Sequence, residues 1–358
     1  MSRPLKPLLV RYGRMGDMVL QAPLLHLLHR RYGRPCDILS FGGWSRQLYA
    51  GCEDVGEICE LRVRHAPYWL SPQRWHLVGA LRRHGGPVYV SENIPAHVAR
   101  IRALLTRAGI GADRCLFLTD CTQITNDHWV DRLLMFGRLT PRAWSAADYP
   151  WHDADLQRAP RLHVGADDRA DCAAWLAAKD LTGFPLVLLQ PGNKRTSRRV
   201  ASRQPDSKSW PLENWVALVD AMRATNPRLR FVLCGSPMEQ SLLEEIHARA
   251  PQGDVVVATR DLPVRRLLAL AETARCMIGV DTGPLHVAAA AGCPLVVLYG
   301  AESPALWDRR SPTGAPVFNL GGPPRHAVAE IEVGEVMDAW RLIVADARVT
   351  DLRATSGQ

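Results

Sequence analysis

At 358 residues the chain is long enough for two domains of ordinary size, each with its own core. Its 47% hydrophobic and 22% charged residues exclude a disordered or fibrous protein, and no apolar run approaches the roughly 18 residues of a membrane-crossing helix. The formal charge is +8, and only four of the 44 basic residues (Lys6, Lys179, Lys194, Lys208) are lysine. So arginine-rich a balance can reflect genome composition; where it serves function it suits an anionic partner such as a phosphorylated substrate or a membrane surface. Zinc-finger, RNP-type and basic-zipper signatures are missing, so nucleic acid is not expected as a partner. Nine cysteines form no CxxC pair and twelve histidines no HExxH pattern, which predicts neither a disulfide frame nor a metal site. Met1 to Pro7 lead straight into a strand without a signal-peptide core, so a cytoplasmic location is expected.

In chain order, Leu8 to Tyr12 reads as a strand, Gly13-Arg14-Met15-Gly16-Asp17 as a glycine-bearing turn, and Met18 to Arg31 as a helix kinked at Pro23. The turn is G-x-x-G-D and not G-x-G-x-x-G, which argues against a nicotinamide site. Strands are predicted at Asp37–Phe41, Val55–Leu61, Val88–Ser91 and Cys115–Leu118, and helices at Gln73–Arg83, Ala96–Ala108 and Trp129–Met135. Tyr68, Trp69 and Trp75 read as core packing, the alternative being a groove for a sugar or lipid. From Thr140 to Val164 the periodicity fades among Pro141, Pro150 and Pro160, which predicts a linker. A second run follows, with strands at Leu186–Leu189, Arg230–Cys234, Val255–Val257, Met277–Val280 and Leu295–Tyr299, and helices including Leu212–Ala224 and Val333–Ala347. The alternation predicts an α/β protein with parallel sheets covered on both faces: one domain over residues 1–150, a second over 165–340, and a helix end and tail over 341–358.

The stretch from Cys276 to Gly300 has the most chemistry. A strand meets Asp281-Thr282-Gly283-Pro284 and a helix of small residues begins, ended by Gly292 and Pro294. Gly283 is expected to use backbone angles closed to other residues, and Pro284 to take the first helical position. Free N–H groups at such a helix start make a ready phosphate site. Asp281, Thr282, Gly283 and His286 thus group a carboxylate, a hydroxyl, bare backbone and an imidazole within one turn.

Four ordered stretches resemble glycosyltransferase family 9, the lipopolysaccharide heptosyltransferases: Arg14-Met15-Gly16-Asp17; Gln190-Pro191-Gly192 followed by Lys208-Ser209-Trp210-Pro211; Gly235-Ser236-Pro237-Met238-Glu239; and Asp281-Thr282-Gly283-Pro284-Leu285-His286. The resemblance spans about residues 8 to 310. It implies a GT-B fold, two Rossmann-like domains facing a central cleft, with the donor held mainly by the C-terminal one. It also implies inverting transfer of heptose from ADP-heptose to an anionic glycolipid of the lipopolysaccharide core, with no cofactor or essential metal, at the inner face of the cytoplasmic membrane. By the same resemblance the catalytic base falls on Asp17, the phosphate-binding lysine on Lys208, the nucleoside-contacting acid on Glu239, and the donor loop on Asp281, Thr282, Gly283 and His286. Other readings of these residues remain open: Asp17 as the cap of the helix after it, Glu239 as a solvated first-turn glutamate, His286 as a cap for local backbone. Between Gly192 and Lys208 the chain departs from the pattern by a long basic insert, in which Thr196 and Ser197 are candidate phosphate contacts, the alternative being a solvated loop. Two rival functions are a protein O-heptosyltransferase acting on an adhesin and a non-catalytic sugar-nucleotide-binding protein.

Overall fold

Runs of consecutive apolar residues become the central strands: every residue of Leu8–Arg11, Leu186–Gln190, Cys276–Val280 and Leu295–Tyr299 is buried, as in strands covered on both faces. The computed structural model describes residues 3–61, 71–125, 128–193, 207–251 and 253–346. The chain divides into two units, Met1–His163 and Val164–Gln358.

The N-terminal unit runs β1 (Leu8–Arg11), α1 (Met15–Val19), α2 (Ala22–Tyr32), β2 (Cys36–Phe41), α3 (Ser45–Leu48), β3 (Val55–Leu61), α4 (Pro72–Arg83), β4 (Val88–Val90), α5 (Pro95–Arg107), β5 (Cys115–Phe117) and α6 (Trp129–Arg138). Its sheet is parallel in the order β3-β2-β1-β4-β5. Leu77, Val78 and Leu81 of α4 and Val98, Ile101 and Leu105 of α5 pack with Leu8, Val10, Leu39, Val88 and Val90 on one face of the sheet. The alternate strand positions turn the other way, where Tyr89 meets Tyr32 of α2 and Phe136 of α6.

The C-terminal unit runs α7 (Ala166–Ala178), β6 (Leu186–Gln190), α8 (Leu212–Thr225), β7 (Arg230–Cys234), α9 (Gln240–Arg249), β8 (Val255–Ala258), α10 (Val264–Thr273), β9 (Cys276–Val280), α11 (Gly283–Ala290), β10 (Leu295–Tyr299), β11 (Val317–Gly321) and α12 (Val333–Ala345). Its parallel sheet has the order β11-β10-β9-β6-β7-β8. One face is covered by α8, α9 and α12 through Trp215, Leu218, Met222, Ile246 and Trp340. Both units are thus doubly wound parallel sheets of the Rossmann type, and the fold class is GT-B.

Four expectations need correction. The predicted helix from Met18 is two helices: α1 starts three residues earlier and ends at Val19, and Pro23 sits in the first turn of α2. A continuous helix would have set the Pro23 ring against the Val19 carbonyl, four residues back, and left that carbonyl unpaired. Gly283 is not among the glycines with positive φ and is the first residue of α11, with Pro284 second; Gly292, at φ +80°, is the glycine whose freedom the turn uses. Residues 140–163 are a strap on the N-terminal unit and not a spacer. Arg31 donates to the Leu139 and Tyr149 carbonyls at 2.9 and 2.8 Å and to Thr140 Oγ1 at 2.7 Å, while Tyr149 Oη donates to the Arg3 carbonyl. Such side-chain-to-backbone bonds leave no periodic trace. Trp75 is not core: it is 51% exposed, and Tyr68 and Trp69 lie outside the described residues.

Candidate functional site

In an open parallel sheet, ligands collect beyond the carboxyl ends of the strands where the strand order reverses. In the C-terminal unit that point lies between β6 and β9. From β6 come Gln190, Pro191, Gly192 and Asn193; from β9 come Asp281 and Thr282, the residue before α11. Gln190 Nε2 donates to the Gly192 carbonyl at 3.0 Å, and Asn193 Nδ2 donates to the Lys208 carbonyl at 3.1 Å. The second bond draws the two ends of the basic insert together and fixes where Lys208 emerges. Thr196 and Ser197 fall in the insert, outside the described residues.

Lys208 Nζ is 3.7 Å from Asp281 Oδ2 and 2.9 Å from Glu302 Oε1. Asp281 is gripped from behind by Arg309, whose Nη2 donates to Asp281 Oδ1 at 2.6 Å and to the Thr282 carbonyl at 3.2 Å, and whose Nη1 donates to Tyr299 Oη. The Arg309 side chain is wholly buried. Burial alone would raise the Asp281 pKa, but Arg309, then His286 and Lys208, outweigh it and hold the carboxyl below its usual range. Burial pushes the Tyr299 phenol up to about 12, so it stays a neutral acceptor for Arg309. Thr282 has extended backbone, and its buried Oγ1 has no hydrogen-bond partner. Thr282 immediately precedes the first turn of α11, where the N–H groups of Gly283 and Leu285 have no acceptor inside the helix. His286 is buried on α11, one turn in.

The solvated reading of Glu239 is overturned: it is buried at 7% exposure. Its Oε2 accepts from the Ser236 N–H and hydroxyl, both at 2.7 Å, at the start of the turn that leads into α9. Its Oε1 lies against Gly192, where a methyl group would come within 2.2 Å of it. Glu239 therefore has one oxygen committed to the turn and Oε1 left to offer a ligand.

In the N-terminal unit the order reverses between β1 and β4, whose carboxyl ends hold two carboxylates. Glu92 is 1% exposed and used up: Oε2 accepts from the Tyr12 N–H, and Oε1 from the Asn93 and Ile94 N–H groups. Asp17, with 23% of its side chain exposed, is the open one. It is the third residue of α1, not the cap before it; Oδ2 reaches back to the Arg14 N–H at 2.8 Å, and Oδ1 accepts from Arg11 Nη2 at 3.0 Å. Arg11 is itself buried, donating to the Ser91 carbonyl at 2.7 Å and to Asn93 Oδ1 at 3.2 Å. The Asp17 carboxylate is thus held in one orientation with part of its surface in solvent, the arrangement a general base needs.

Arg11 and Arg309 escaped the sequence reading. Each is one arginine among many, and its partners lie up to 82 and 28 residues away, beyond any local pattern. Among the described residues no group of His, Cys, Asp or Glu is arranged to hold a metal, and all nine cysteines are free thiols.

A sequence profile of Glycosyltransferase family 9 (heptosyltransferase) matches residues 178–339. The chain is 31% identical to lipopolysaccharide heptosyltransferase 3 of Escherichia coli over 127 residues, which is 35% of the chain and 34%, about a third, of that relative. To lipopolysaccharide heptosyltransferase 2 of Salmonella typhimurium it is 24% identical over 318 residues, 84% of each. The fold is similar to that of the solved E. coli ADP-heptose lipopolysaccharide heptosyltransferase II, with a TM-score of 0.72 at 20% identity over 96% of this chain and 99% of that one. Residues 178–339, nearly all of the described part of the C-terminal unit, thus match the glycosyltransferase family 9 (heptosyltransferase) profile, and over most of its length the chain is similar in sequence and fold to lipopolysaccharide heptosyltransferases.

Proposed function

We propose that the chain transfers heptose from ADP-heptose, with inversion and without an essential metal, to a lipopolysaccharide-core or related envelope acceptor at the inner face of the cytoplasmic membrane. The observation that carries the reading is the convergence at the β6–β9 switch point of Lys208 Nζ, the unpartnered Thr282 hydroxyl and the start of α11. A diphosphate is the ligand this set suits: a cation, a hydroxyl donor and free amides, backed by Arg309. In the transfer, Asp17 takes the proton of the acceptor hydroxyl as its oxygen attacks the anomeric carbon. The bond from that carbon to the diphosphate oxygen breaks on the opposite side, and the leaving charge settles between Lys208 and the helix start. The choice of heptose and of adenine is supported by the named activities of the relatives.

The direct test is incubation with a panel of nucleotide sugars and core acceptors, following released nucleotide. Release from ADP-heptose only when a core acceptor is added supports the proposal; release from a different donor alone overturns it. ADP is expected to raise the melting temperature more than UDP or GDP at equal concentration, through selective binding to the native state. An equal or larger shift with UDP would remove the adenine assignment.

Lys208→Ala is expected to weaken ADP binding by roughly 10- to 100-fold, the equivalent of one hydrogen bond to a charged group. The loss includes a second effect, because Asp281 and Glu302 would then face the phosphates without the cation between them. AMP, one phosphate shorter, should lose less. ADP affinity unchanged by titration calorimetry would show the lysine to be a surface residue.

A further inference from the structure

The net charge of the chain is confined to one of its two units. Residues 1–163 carry 22 Lys and Arg against 14 Asp and Glu, while residues 164–358 carry 22 of each, so the whole +8 belongs to the N-terminal unit. Genome composition would enrich both units alike and gives no reason for this split.

Within that unit the excess gathers on the layer formed by α4 and α5. Neither helix contains an acidic residue, whereas α4 carries Arg74, Arg82 and Arg83 and α5 carries Arg100, Arg102 and Arg107. Arg82, Arg83 and Arg100 are exposed and have no acidic partner among the described residues. Arg102 on the same layer is instead paired with Asp120, as Arg30 is with Asp155 and Arg169 with Glu272 elsewhere. The inner faces of the two helices are spent on the core, so Arg82, Arg83 and Arg100 project from the outer side. The same layer exposes two large apolar side chains, Trp75 on α4 at 51% and Ile94 just before α5 at 48%. Seven residues, close to two helical turns, separate Trp75 from Arg82, so they lie on one side of α4.

We propose that the α4–α5 layer of the N-terminal unit docks on an anionic lipid bilayer, its arginines against the headgroups and Trp75 and Ile94 inserted at the interface. Unpaired cations interleaved with an aromatic and an aliphatic side chain are the composition of an interfacial membrane contact. A nucleic acid would use the arginines but leaves Ile94 without a role. The proposal deepens the membrane-face reading above, resting on it for the acceptor, and it assigns the surface that carries the contact.

The test is co-sedimentation of the full chain with phosphatidylcholine vesicles containing about 30% phosphatidylglycerol, compared with pure phosphatidylcholine, with salt raised from about 0.05 to about 0.5 M. Binding is expected to need the anionic lipid and to fall steeply with salt. The exposed triple variant R82E/R83E/R100E should bind at least about tenfold more weakly, since each basic side chain at such a surface is worth about 1 kcal/mol. The control R3E/R34E/R142E makes the same change in net charge at exposed arginines outside the layer and should lose less than about threefold. Trp75→Ser should lose the binding that persists at high salt. Equal losses in the two triple variants would reduce the effect to overall charge and overturn the assignment of the face. Binding to double-stranded RNA that exceeds vesicle binding and vanishes in the first triple variant would overturn it in favour of a nucleic acid. The readout needs no turnover, so a chain that transfers sugar but ignores vesicles refutes this proposal alone. One that binds vesicles but releases no nucleotide refutes the proposed reaction alone.

Discussion

Asp17→Asn should lower turnover by about 10²–10⁴-fold, the usual range for a lost general base, with ADP affinity unchanged. Asparagine is nearly isosteric, but its amide cannot take a proton from the acceptor. It is not silent for stability either, because both carboxylate oxygens are in use, Oδ2 on the Arg14 N–H and Oδ1 on Arg11. An asparagine can satisfy one of these donors and must turn its own N–H₂ toward the other. A loss of about 1–3 kcal/mol is therefore expected for the N-terminal unit, and turnover must be compared well below the melting temperature. Arg11→Lys separates the two effects: it keeps the base and a charge near it while loosening the grip, so its turnover should fall far less than that of the asparagine variant. If the asparagine variant keeps turnover within a few-fold of wild type, Asp17 is a helix-start residue only and the base lies elsewhere.

The largest loss of stability is expected from Arg309→Met. Methionine fills much of the volume but leaves Asp281 buried without its guanidinium and Tyr299 without its donor. Removing one partner of a buried ion pair costs about 3–5 kcal/mol, which for a unit of this size corresponds to a melting shift on the order of 10 °C. ADP affinity should fall with it, because the carboxylate that orients Lys208 and the residue that opens α11 lose their anchor together. The double variant Asp281→Asn/Arg309→Met should recover part of the stability, since the stranded charge is gone. The pair also sets a pH dependence. The Asp281 pKa is lowered in the folded chain, so its contribution is complete above the unfolded-state value and is lost as pH falls through the lower folded value. The wild type should therefore lose this increment only in acid, and Arg309→Met should lack that acid-side slope. A melting temperature within a degree or two of wild type would show that the arginine is a passenger.

The central strands were legible because burial on both faces demands uninterrupted apolar residues; Arg230–Cys234 and Leu295–Tyr299 fall where the sequence predicts them. The edge strand β11 was not predicted, since Val317–Gly321 is short and only half-buried and lacks that signature. The split between α1 and α2 was half-legible: Pro23 announces a disturbance, but whether the chain kinks or starts again depends on how the turn at Leu20 and Gln21 packs. At the site, the ordered motifs marked Asp17, Lys208, Glu239 and the Asp281 loop. What they could not reveal was which of these side chains are already committed. Glu239 gives an oxygen to Ser236, Asp281 gives one to Arg309, and Asp17 is tied to Arg11 at the end of the strand before its helix. Two of these partners are near in sequence, three and six residues away, but a motif does not tell a committed carboxylate from a free one; the third lies 28 residues away.

The hydrogen bond from Asn193 to the Lys208 carbonyl has a consequence for how this chain tolerates change. It holds Asn193 and Lys208, which flank the basic insert, side by side. Closing a flexible loop twice as long costs only about 0.6 kcal/mol more, and with the ends fastened the addition or removal of residues need not shift Lys208. Length at this position is thus uncoupled from the register of the site, and the insert is where a lineage could lengthen, trim or rewrite the chain without relearning how to hold its donor.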